Sequence, residues 1–338
     1  MDPIAALHRA VHLLDRELAP PQKVRAFLNA IEVVSEEGDA GIRARADAGT
    51  LTELDGIGAS TARVITEAIA GDDDGYLADL EERSRIPVGA GGEILGALRG
   101  DCHSHTTWSD GGAPLRSMAE TAFGLGHEWL AVTDHSARLT VARGLDEKRL
   151  GDQLVEIADL NAELEPFRIL SGLEVDILVD GSLDLSTELL AELDLVVGSV
   201  HSKLRMPRDE MTRRMVMAIA SPHVDILGHC TNRKLVGVGR PPSEFDAEIV
   251  FAACARFDTA VEINCRPERQ DPPEQLLALA LEWGTRIAID TDAHATGQLE
   301  WLAYGADKAA RCGVPVNDIV NTWTADEIVA WADSHPVD

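Results

Sequence analysis

The chain has 338 residues, 45% of them hydrophobic, a length that allows one large domain and one small domain with separate cores. No apolar run is long enough to cross a bilayer, and the N-terminus lacks the basic and apolar regions of a signal peptide. We therefore expect a cytoplasmic protein with no membrane partner. The formal net charge of −28 argues against tight, non-specific binding of nucleic acid, which needs a basic stripe, although a local basic patch remains compatible with it.

Residues 1–88 are predicted to form a small helical domain. Apolar residues recur at helical spacing in two runs, Leu7 to Leu18 and Val24 to Ile31, and Pro20-Pro21 marks the boundary between them. A short helix, a Gly-x-Gly turn and a further helix follow over residues 51–65. The acidic segment 71–75 ends this unit.

The turn in this helical domain has two interpretations. The backbone N–H groups of Gly56, Ile57 and Gly58 could bind a DNA phosphate at the N-terminus of the following helix. A Gly-x-Gly turn between helices is equally a common structural device with no ligand. Both interpretations stay open at the level of sequence.

Residues 97–338 show short apolar strands that alternate with amphipathic helices. This alternation predicts a parallel sheet, and seven repeats favour a closed barrel. An open, doubly wound sheet is the alternative, but no Gly-x-Gly-x-x-Gly turn follows a strand to support it. The predicted strands are 98–102, 129–133, 168–173, 193–200, 224–227, 259–263 and 286–289.

Polar residues of metal-ligand type follow these strands. Residues i and i+2 of an extended strand point to the same side, so His103 and His105 could hold one ion together, as could Asp292 and His294. Imidazole and carboxylate groups are ligands of Zn²⁺, Mn²⁺ and Fe²⁺. A single histidine at a strand end is more often a surface residue, but six of the eleven histidines fall at such positions. These are His103, His105, His135, His201, His229 and His294.

Carboxylates at the same strand ends extend this ligand set. Asp110, Glu174 and Asp292 could complete it, whereas Asp110 and Asp134 could instead cap the helices that follow them. Catalytic residues of parallel barrels collect at the carboxyl ends of the strands. The sequence therefore predicts a metal site at this rim.

Five motifs in this order resemble the polymerase and histidinol phosphatase (PHP) superfamily. They are His-x-His-Thr-x-x-Ser-Asp-Gly from 103, Thr-Asp-His-Ser from 133, Gly-x-Glu-Val-Asp from 172, Gly-Ser-Val-His from 198 and Thr-Asp-Ala-His from 291. Residues 98–330 are most similar to the PHP module at the C-terminus of bacterial family X DNA polymerases. Residues 1–75 resemble the small helix-hairpin-helix domain of the same polymerases. Only a short linker separates the two parts, so no polymerase catalytic domain lies between them.

The resemblance implies an α/β fold, a distorted seven-stranded (β/α)7 barrel preceded by a small all-α helix-hairpin-helix domain. It also implies three divalent metal ions, with Mn, Zn and Fe as the candidates, that cleave phosphoester bonds. By position, the first ion would have His103, His105, Glu174 and Asp292 as ligands. Glu174 would bridge to a second ion held by His201 and His229, and Asp110, His135 and His294 would hold the third.

Basic residues in the loops after the strands could contact the phosphate of a substrate. The alternative for each is an ordinary solvated loop charge. The candidate phosphate clamps are Arg143, Lys203, Arg233, Arg266 and Arg269.

Two enzymatic functions compete at this point, with a third function that is not enzymatic. The chain could be a DNA 3'-5' exonuclease or 3'-end-processing phosphoesterase, or a small-molecule phosphatase of the histidinol phosphatase type. It could also be a metal-dependent DNA-binding protein without activity, although three-ion ligand sets are unusual for structural sites. Asp55 stands where the hairpin motif usually has Pro, so any DNA binding by the helical domain is expected to be weak. The oligomeric state is left open.

Overall fold

The computed structural model describes residues 1–72 and 74–335 of the chain. Asp73, within the predicted acidic segment, and residues 336–338 of the predicted barrel domain lie outside the described residues. The chain forms two compact units. The first comprises Met1–Ile86 and Thr296–Gln298, and the second comprises the rest of the chain from Pro87 onward. Within the described residues, no helix has the length and apolar character that crossing a membrane requires.

The first unit is helical, as predicted. The predicted boundary at Pro20-Pro21 is correct, because one helix ends at Arg16 and the next begins at Pro21, where a proline needs no hydrogen-bond acceptor. Leu7, Phe27 and Ile65 are fully buried in a shared core. A short 3-10 helix, Leu51–Glu53, precedes the Gly-x-Gly turn. The α-helices are α1 (Pro3–Arg16), α2 (Pro21–Ala48, interrupted at Gly38), α3 (Ala59–Ala70) and α4 (Tyr76–Arg83).

The second unit contains a sheet of seven parallel strands in sequential order. Each strand pairs with the next, and the segments that follow the first and last strands meet through a bridge between Ser104 and Ala293. The His105 N–H donates to the Ala293 carbonyl oxygen at 2.7 Å across this junction. The strands are β1 (Gly100–Asp101), β2 (Trp129–Val132), β3 (Arg168–Asp176), β4 (Leu195–Ser199), β5 (Ile226–Leu227), β6 (Ala260–Asn264) and β7 (Ile287–Asp290).

Helices alternate with these strands, which confirms the predicted α/β barrel preceded by a helical unit. Their bounds are α5 (Gly92–Ala97), α6 (Leu115–Gly124), α7 (Glu147–Leu164), α8 (Thr187–Leu190), α9 (Arg208–Ile219), α10 (Ala247–Phe257), α11 (Glu274–Glu282), α12 (Leu302–Arg311) and α13 (Ala325–Ala332).

Alternation along the strands divides the core into two layers. Leu130 and Val132 of β2 pack against Met118 of α6 and other helical residues outside the sheet. Trp129, on the other face of β2, belongs to a cluster that includes Trp331 of α13. The Trp129 indole N–H donates to the Trp323 carbonyl oxygen at 2.9 Å. The C-terminal segment thus packs near the amino ends of the strands, and the carboxyl ends are left to the ligand residues.

Candidate metal centre

Glu174 lies at the centre of the predicted ligand set. It belongs to β3, which runs three residues further than predicted, and its side chain is 1% exposed. Each of its carboxylate oxygens approaches a different group of imidazoles. Oε2 lies 3.4 Å from His103 Nε2, 3.5 Å from His105 Nε2 and 2.9 Å from His135 Nδ1, and Oε1 lies 3.1 Å from His201 Nε2 and 2.9 Å from His229 Nε2.

Two further carboxylates complete the cluster. Asp110 Oδ1 lies 3.5 Å from both His135 Nε2 and His294 Nε2. Asp292 Oδ1 lies 3.4 Å from His105 Nε2. The structure therefore brings all nine predicted ligand residues together at the carboxyl ends of the strands.

Three groups of these residues have ligand atoms within 4.8 Å of one another. They partly match the sets that the resemblance implies. His105, His135 and Glu174 each occur in two groups. Asp292 joins the cluster through His105, and His229 joins it through Glu174. The groups are His105, Asp110, His135 and His294; His103, His105 and Glu174; and His135, Glu174 and His201.

Buried imidazole nitrogens without hydrogen bonds show that these residues fit divalent cations. Several lie close to carboxylate oxygens and yet lack hydrogen-bond geometry. An unsatisfied buried polar group costs about 1–3 kcal/mol, and cations bound among these nitrogens would offset that cost. The atoms are His103 Nε2, His105 Nδ1 and Nε2, His135 Nδ1, His201 Nδ1 and Nε2, and His229 Nδ1.

The protonation of the imidazoles reflects this crowding. Burial lowers the pKa of His105 to about 3, and His294 and His135 add to the effect, so its ring is neutral and offers a lone pair. Burial also disfavours a charge on His103, but Glu174 and Glu262 outweigh it and raise the pKa of His103 well above its usual value. A bound cation would replace the proton that these carboxylates otherwise hold on His103.

Glu262 and Asn264 on β6 make hydrogen bonds that orient the predicted metal ligands. Glu262 Oε1 lies 2.6 Å from His103 Nδ1, and its Oε2 accepts the His229 backbone N–H. Asn264 Nδ2 donates to Asp292 Oδ2 at 3.0 Å. The sequence alone led to no predicted role for this pair, although two polar residues at i and i+2 in an otherwise apolar strand were a usable signal.

Asp134 stabilises the loop that contains Asp110 through hydrogen bonds. It accepts the Thr106 N–H at 2.8 Å, the Ser109 N–H at 3.1 Å and the Gln153 amide at 2.7 Å. Pro114 occupies the N-cap position of α6, and Asp146 that of α7. The capping alternative for Asp110 and Asp134 is therefore wrong, because both side chains point to other partners.

Left-handed backbone conformations concentrate in the loops around the cluster. Such values are uncommon outside glycine and often mark functional sites. Asp292 itself has φ of 51°. Other residues of these loops with positive φ are Arg143, Lys203, Asn232 and Gln270.

The predicted phosphate clamps differ in their surroundings. Arg143 and Lys203 are exposed in the loops after β2 and β4. Arg233 Nε donates to the Arg269 carbonyl oxygen at 3.0 Å, and its Nη2 donates to that of Gln270. Arg266 Nη1 donates to the Asp292 carbonyl oxygen at 2.8 Å. Of the five candidates, Arg233 and Arg266 thus donate to loop backbone, and Arg143 and Lys203 are exposed. Arg269 Nη1 donates to Asn232 Oδ1 at 3.3 Å.

The Gly-x-Gly turn of the helical unit uses two of its three predicted donors internally. The Ile57 N–H donates to the Leu54 carbonyl oxygen at 3.1 Å, and the Gly58 N–H donates to Thr61 Oγ1 at 2.9 Å. Gly56 has φ of 91°, which a glycine adopts without strain. This geometry suits a connection between helices and by itself adds no support for a phosphate contact.

A parallel barrel with imidazole and carboxylate ligands at its carboxyl rim defines a metal-dependent hydrolase domain. The family model described as PHP domain matches residues 101–264, so this segment is a PHP domain and the predicted membership is confirmed. PHP membership places the domain among the phosphoester hydrolases.

The similar proteins differ in size and in name. The chain is 39% identical over 237 residues to "DNA polymerase/3'-5' exonuclease PolX" of Bacillus subtilis (strain 168). The matched region covers 70% of this chain but only 41% of that protein. It is 29% identical over 234 residues to a probable phosphatase of Thermoanaerobacter sp. (strain X514), covering 66% of this chain and 89% of that protein.

One solved structure is similar to part of the chain. It is the histidinol phosphate phosphatase of Lactococcus lactis subsp. lactis Il1403, complexed with Zn, L-histidinol and phosphate. The identity is 18% and the TM-score 0.44, over 64% of this chain and 94% of that one.

Proposed function

We propose that this chain is a metal-dependent phosphoesterase that acts on DNA 3' ends, as a 3'-5' exonuclease or an end-processing enzyme. The observation that carries the proposal is the Glu174-centred cluster of nine ligand residues with its unpaired imidazole nitrogens. The choice of DNA rests on the relative named as a 3'-5' exonuclease, which has the higher identity of the two relatives above. DNA is therefore proposed as a substrate and as a weakly held partner.

The proposed ligand assignment follows the resemblance. His103, His105, Glu174 and Asp292 would hold one ion, Glu174, His201 and His229 a second, and Asp110, His135 and His294 a third. When bound, divalent ions of the Mn²⁺, Zn²⁺ or Fe²⁺ type supply activation of water and stabilisation of charge on phosphoryl oxygens.

The chain's own side chains orient these ligands and face the substrate. Glu262 accepts a hydrogen bond from His103 Nδ1 and so leaves Nε2, on the side of Glu174, to a bound cation. Asn264 fixes the carboxylate of Asp292. Arg143 and Lys203 are exposed at the rim, where they could contact substrate phosphate. In the reaction a water oxygen bonds to phosphorus, the bond from phosphorus to the leaving oxygen breaks, and that oxygen takes up a proton.

The second candidate is a small-molecule phosphatase of the histidinol phosphatase type. The relatives named probable phosphatases favour it, because the chain covers 89% of one such protein. In that case residues 1–88 would serve in packing or oligomerisation, and residues 97–338 would carry the activity. The third candidate, a metal-dependent DNA-binding protein without activity, is opposed by the completeness of the ligand set.

The test is hydrolysis by Mn²⁺-loaded protein of a 3'-labelled DNA oligonucleotide and, in parallel, of histidinol phosphate. His103→Ala is the loss-of-site variant, and His201→Ala is a second one at a side chain that is 12% exposed and so leaves a smaller cavity. His8→Ala, at an exposed histidine of α1, is the matched control.

Stepwise shortening of the DNA that both site variants lose and the control retains would support the exonuclease. Phosphate release from histidinol phosphate with intact DNA would replace it with the metabolic phosphatase. No turnover of either substrate by fully metal-loaded protein would reject both.

A further inference from the structure

A group of cations lies in the loops after β5 and β6, in a chain whose formal net charge is −28. Asn232 connects them. Its side-chain oxygen accepts from Arg269 Nη1 and from Arg240 Nη2, each at 3.3 Å, and its carbonyl oxygen accepts from Arg240 Nε at 2.7 Å. Lys234 pairs with Arg240 through two backbone hydrogen bonds of 2.9 and 3.0 Å. We call Lys234, Arg240 and Arg269 the cation cluster.

The positive charge of this cluster is poorly neutralised. Across residues 1–72 and 74–335, no carboxylate oxygen lies within 4.0 Å of the side-chain nitrogens of Lys234 or Arg240. Arg269 Nε lies 3.7 Å from Oδ2 of Asp292, which is one of the nine predicted metal ligands. The two carboxylates whose charges reach these cations already have partners, because Glu268 pairs with Arg266 and Asp271 accepts from Thr231 Oγ1.

The cations also act on one another. Burial, followed by the charges of Arg269 and Arg240, lowers the pKa of Lys234. Burial and the charge of Arg269 likewise lower the pKa of Arg240. Like charges held side by side repel, and an anion placed between them would relieve that repulsion.

The cluster adjoins the metal centre without belonging to it. Asn232 follows the ligand His229 by three residues, and its Nδ2 donates at 2.6 Å to the carbonyl oxygen of Val200, the residue before the ligand His201. Arg269 Nε is buried without a hydrogen-bond partner. A substrate phosphate at the metal centre would therefore place its neighbouring phosphate within reach of these cations.

The loop between Lys234 and Arg240 adds an apolar surface beside the charges. Leu235, Val236 and Val238 are exposed there. Exposed apolar side chains next to cations that carboxylates do not fully neutralise suit a ligand that has both charged phosphates and apolar faces. A polynucleotide has both, whereas a small phosphomonoester offers one phosphate only.

We propose that the cation cluster is a second phosphate subsite, which binds the phosphate next to the scissile one and so favours polynucleotide phosphodiesters with at least two phosphates. This inference rests on the proposed phosphoesterase function. It names the residues that would discriminate a nucleic acid chain from a small phosphate ester, and these residues lie outside the nine-ligand set.

The test compares two short substrates, the trinucleotide TpTpT and the dinucleotide TpT. TpTpT has a phosphate beside the scissile one, and TpT has the scissile phosphate alone. The wild type should show a higher kcat/KM for TpTpT. In Lys234→Met and in Arg240→Met the ratio of the two kcat/KM values should fall roughly tenfold, the effect of one charge-assisted hydrogen bond to phosphate.

Arg213→Met is the matched control, because it removes the same charge from an exposed residue of α9. The control should keep the wild-type ratio. Binding of a fluorescein-labelled phosphorothioate analogue of TpTpT, which resists hydrolysis, to Mn²⁺-loaded protein supplies a second readout that needs no turnover. Both cluster variants should bind this analogue several-fold more weakly than the control.

Three results would overturn the subsite: no preference for TpTpT in the wild type, an unchanged ratio in both variants, or equal binding by variants and control. If the wild type hydrolyses neither nucleotide, the proposed exonuclease fails. In that event the binding comparison alone decides whether the subsite exists.

Discussion

Replacing Glu262 by glutamine should weaken metal binding although the new side chain has nearly the same shape. Glu262 is fully buried, and both of its carboxylate oxygens accept hydrogen bonds. Oε1 accepts from His103 Nδ1, and Oε2 accepts from the His229 N–H and from Asn264 Nδ2. A glutamine has one oxygen and one NH₂ group. If its oxygen faces His103, its NH₂ group meets two donors; if its NH₂ group faces His103, the ring must carry its proton on Nε2.

The magnitude follows from either orientation. The first leaves buried donors unpaired, and the second removes the lone pair that His103 would offer a cation. A buried hydrogen bond to a charged group contributes about 1.5–3 kcal/mol, and loss of a carboxylate behind a ligating histidine typically costs about 10–100-fold in metal affinity. We therefore expect Glu262→Gln to weaken binding at the His103 site by about 1.4–2.7 kcal/mol.

The assay is titration calorimetry of Mn²⁺ and of Zn²⁺ into chelator-treated protein, with metal content measured after dialysis. Glu282→Gln, at an exposed position of α11, is the matched control for the loss of one charge. Far-ultraviolet circular dichroism checks that both variants fold. Wild-type affinity and metal content in folded Glu262→Gln would refute the positioning role of this carboxylate.

Three other predictions concern stability. Chelation should lower the melting temperature, and Mn²⁺ at 100 times its dissociation constant should raise the free energy of unfolding by about 2.7 kcal/mol. An unchanged melting temperature in calorimetry would contradict a cation site. Burial raises the pKa of Asp15 from 3.8 to about 7, so between these values the folded chain keeps a proton that the unfolded chain has lost. Stability therefore falls as pH rises through that window. In urea unfolding, Asp15→Asn should have a higher free energy of unfolding than the wild type at pH 8 but not at pH 4. Arg214→Met should lower the free energy of unfolding by about 1–3 kcal/mol in the same assay, because the buried guanidinium of Arg214 donates to the carbonyl oxygens of Ile177 and Ser202.

The sequence predicted the barrel and the location of the site because both depend on local patterns. Strand and helix alternation does not require knowledge of contacts, and His103 and His105 at i and i+2 stand out after an apolar strand. Strand lengths were less predictable. β1 and β5 have only two residues each, and the predicted ligands His103 and His229 come two residues after these strands end. β3, in contrast, continues through Glu174.

Other features depend on contacts that no local pattern encodes. Arg233 and Arg266 looked like phosphate clamps because they follow strands, yet they donate to backbone carbonyl oxygens. Those acceptors are presented by loops in which Gln270 and Asp292 have positive φ. Glu262 was overlooked for a similar reason, since its role depends on His103, which is 159 residues away in the chain.

The acidity of the chain and an anionic substrate are compatible once distance is considered. At an ionic strength of 0.15 M the Debye length is about 8 Å, so exposed carboxylates far from the rim contribute little to the field that a bound phosphate experiences. Once divalent ions are bound, the local charge would be set by them and by Lys234, Arg240 and Arg269. Without the ions, Glu174, Asp110 and Asp292 would repel phosphate from the same place. Affinity for a polyanionic substrate should therefore depend on metal loading far more than on net charge, and the cation cluster would matter most when the ions have already neutralised the carboxylates beside it.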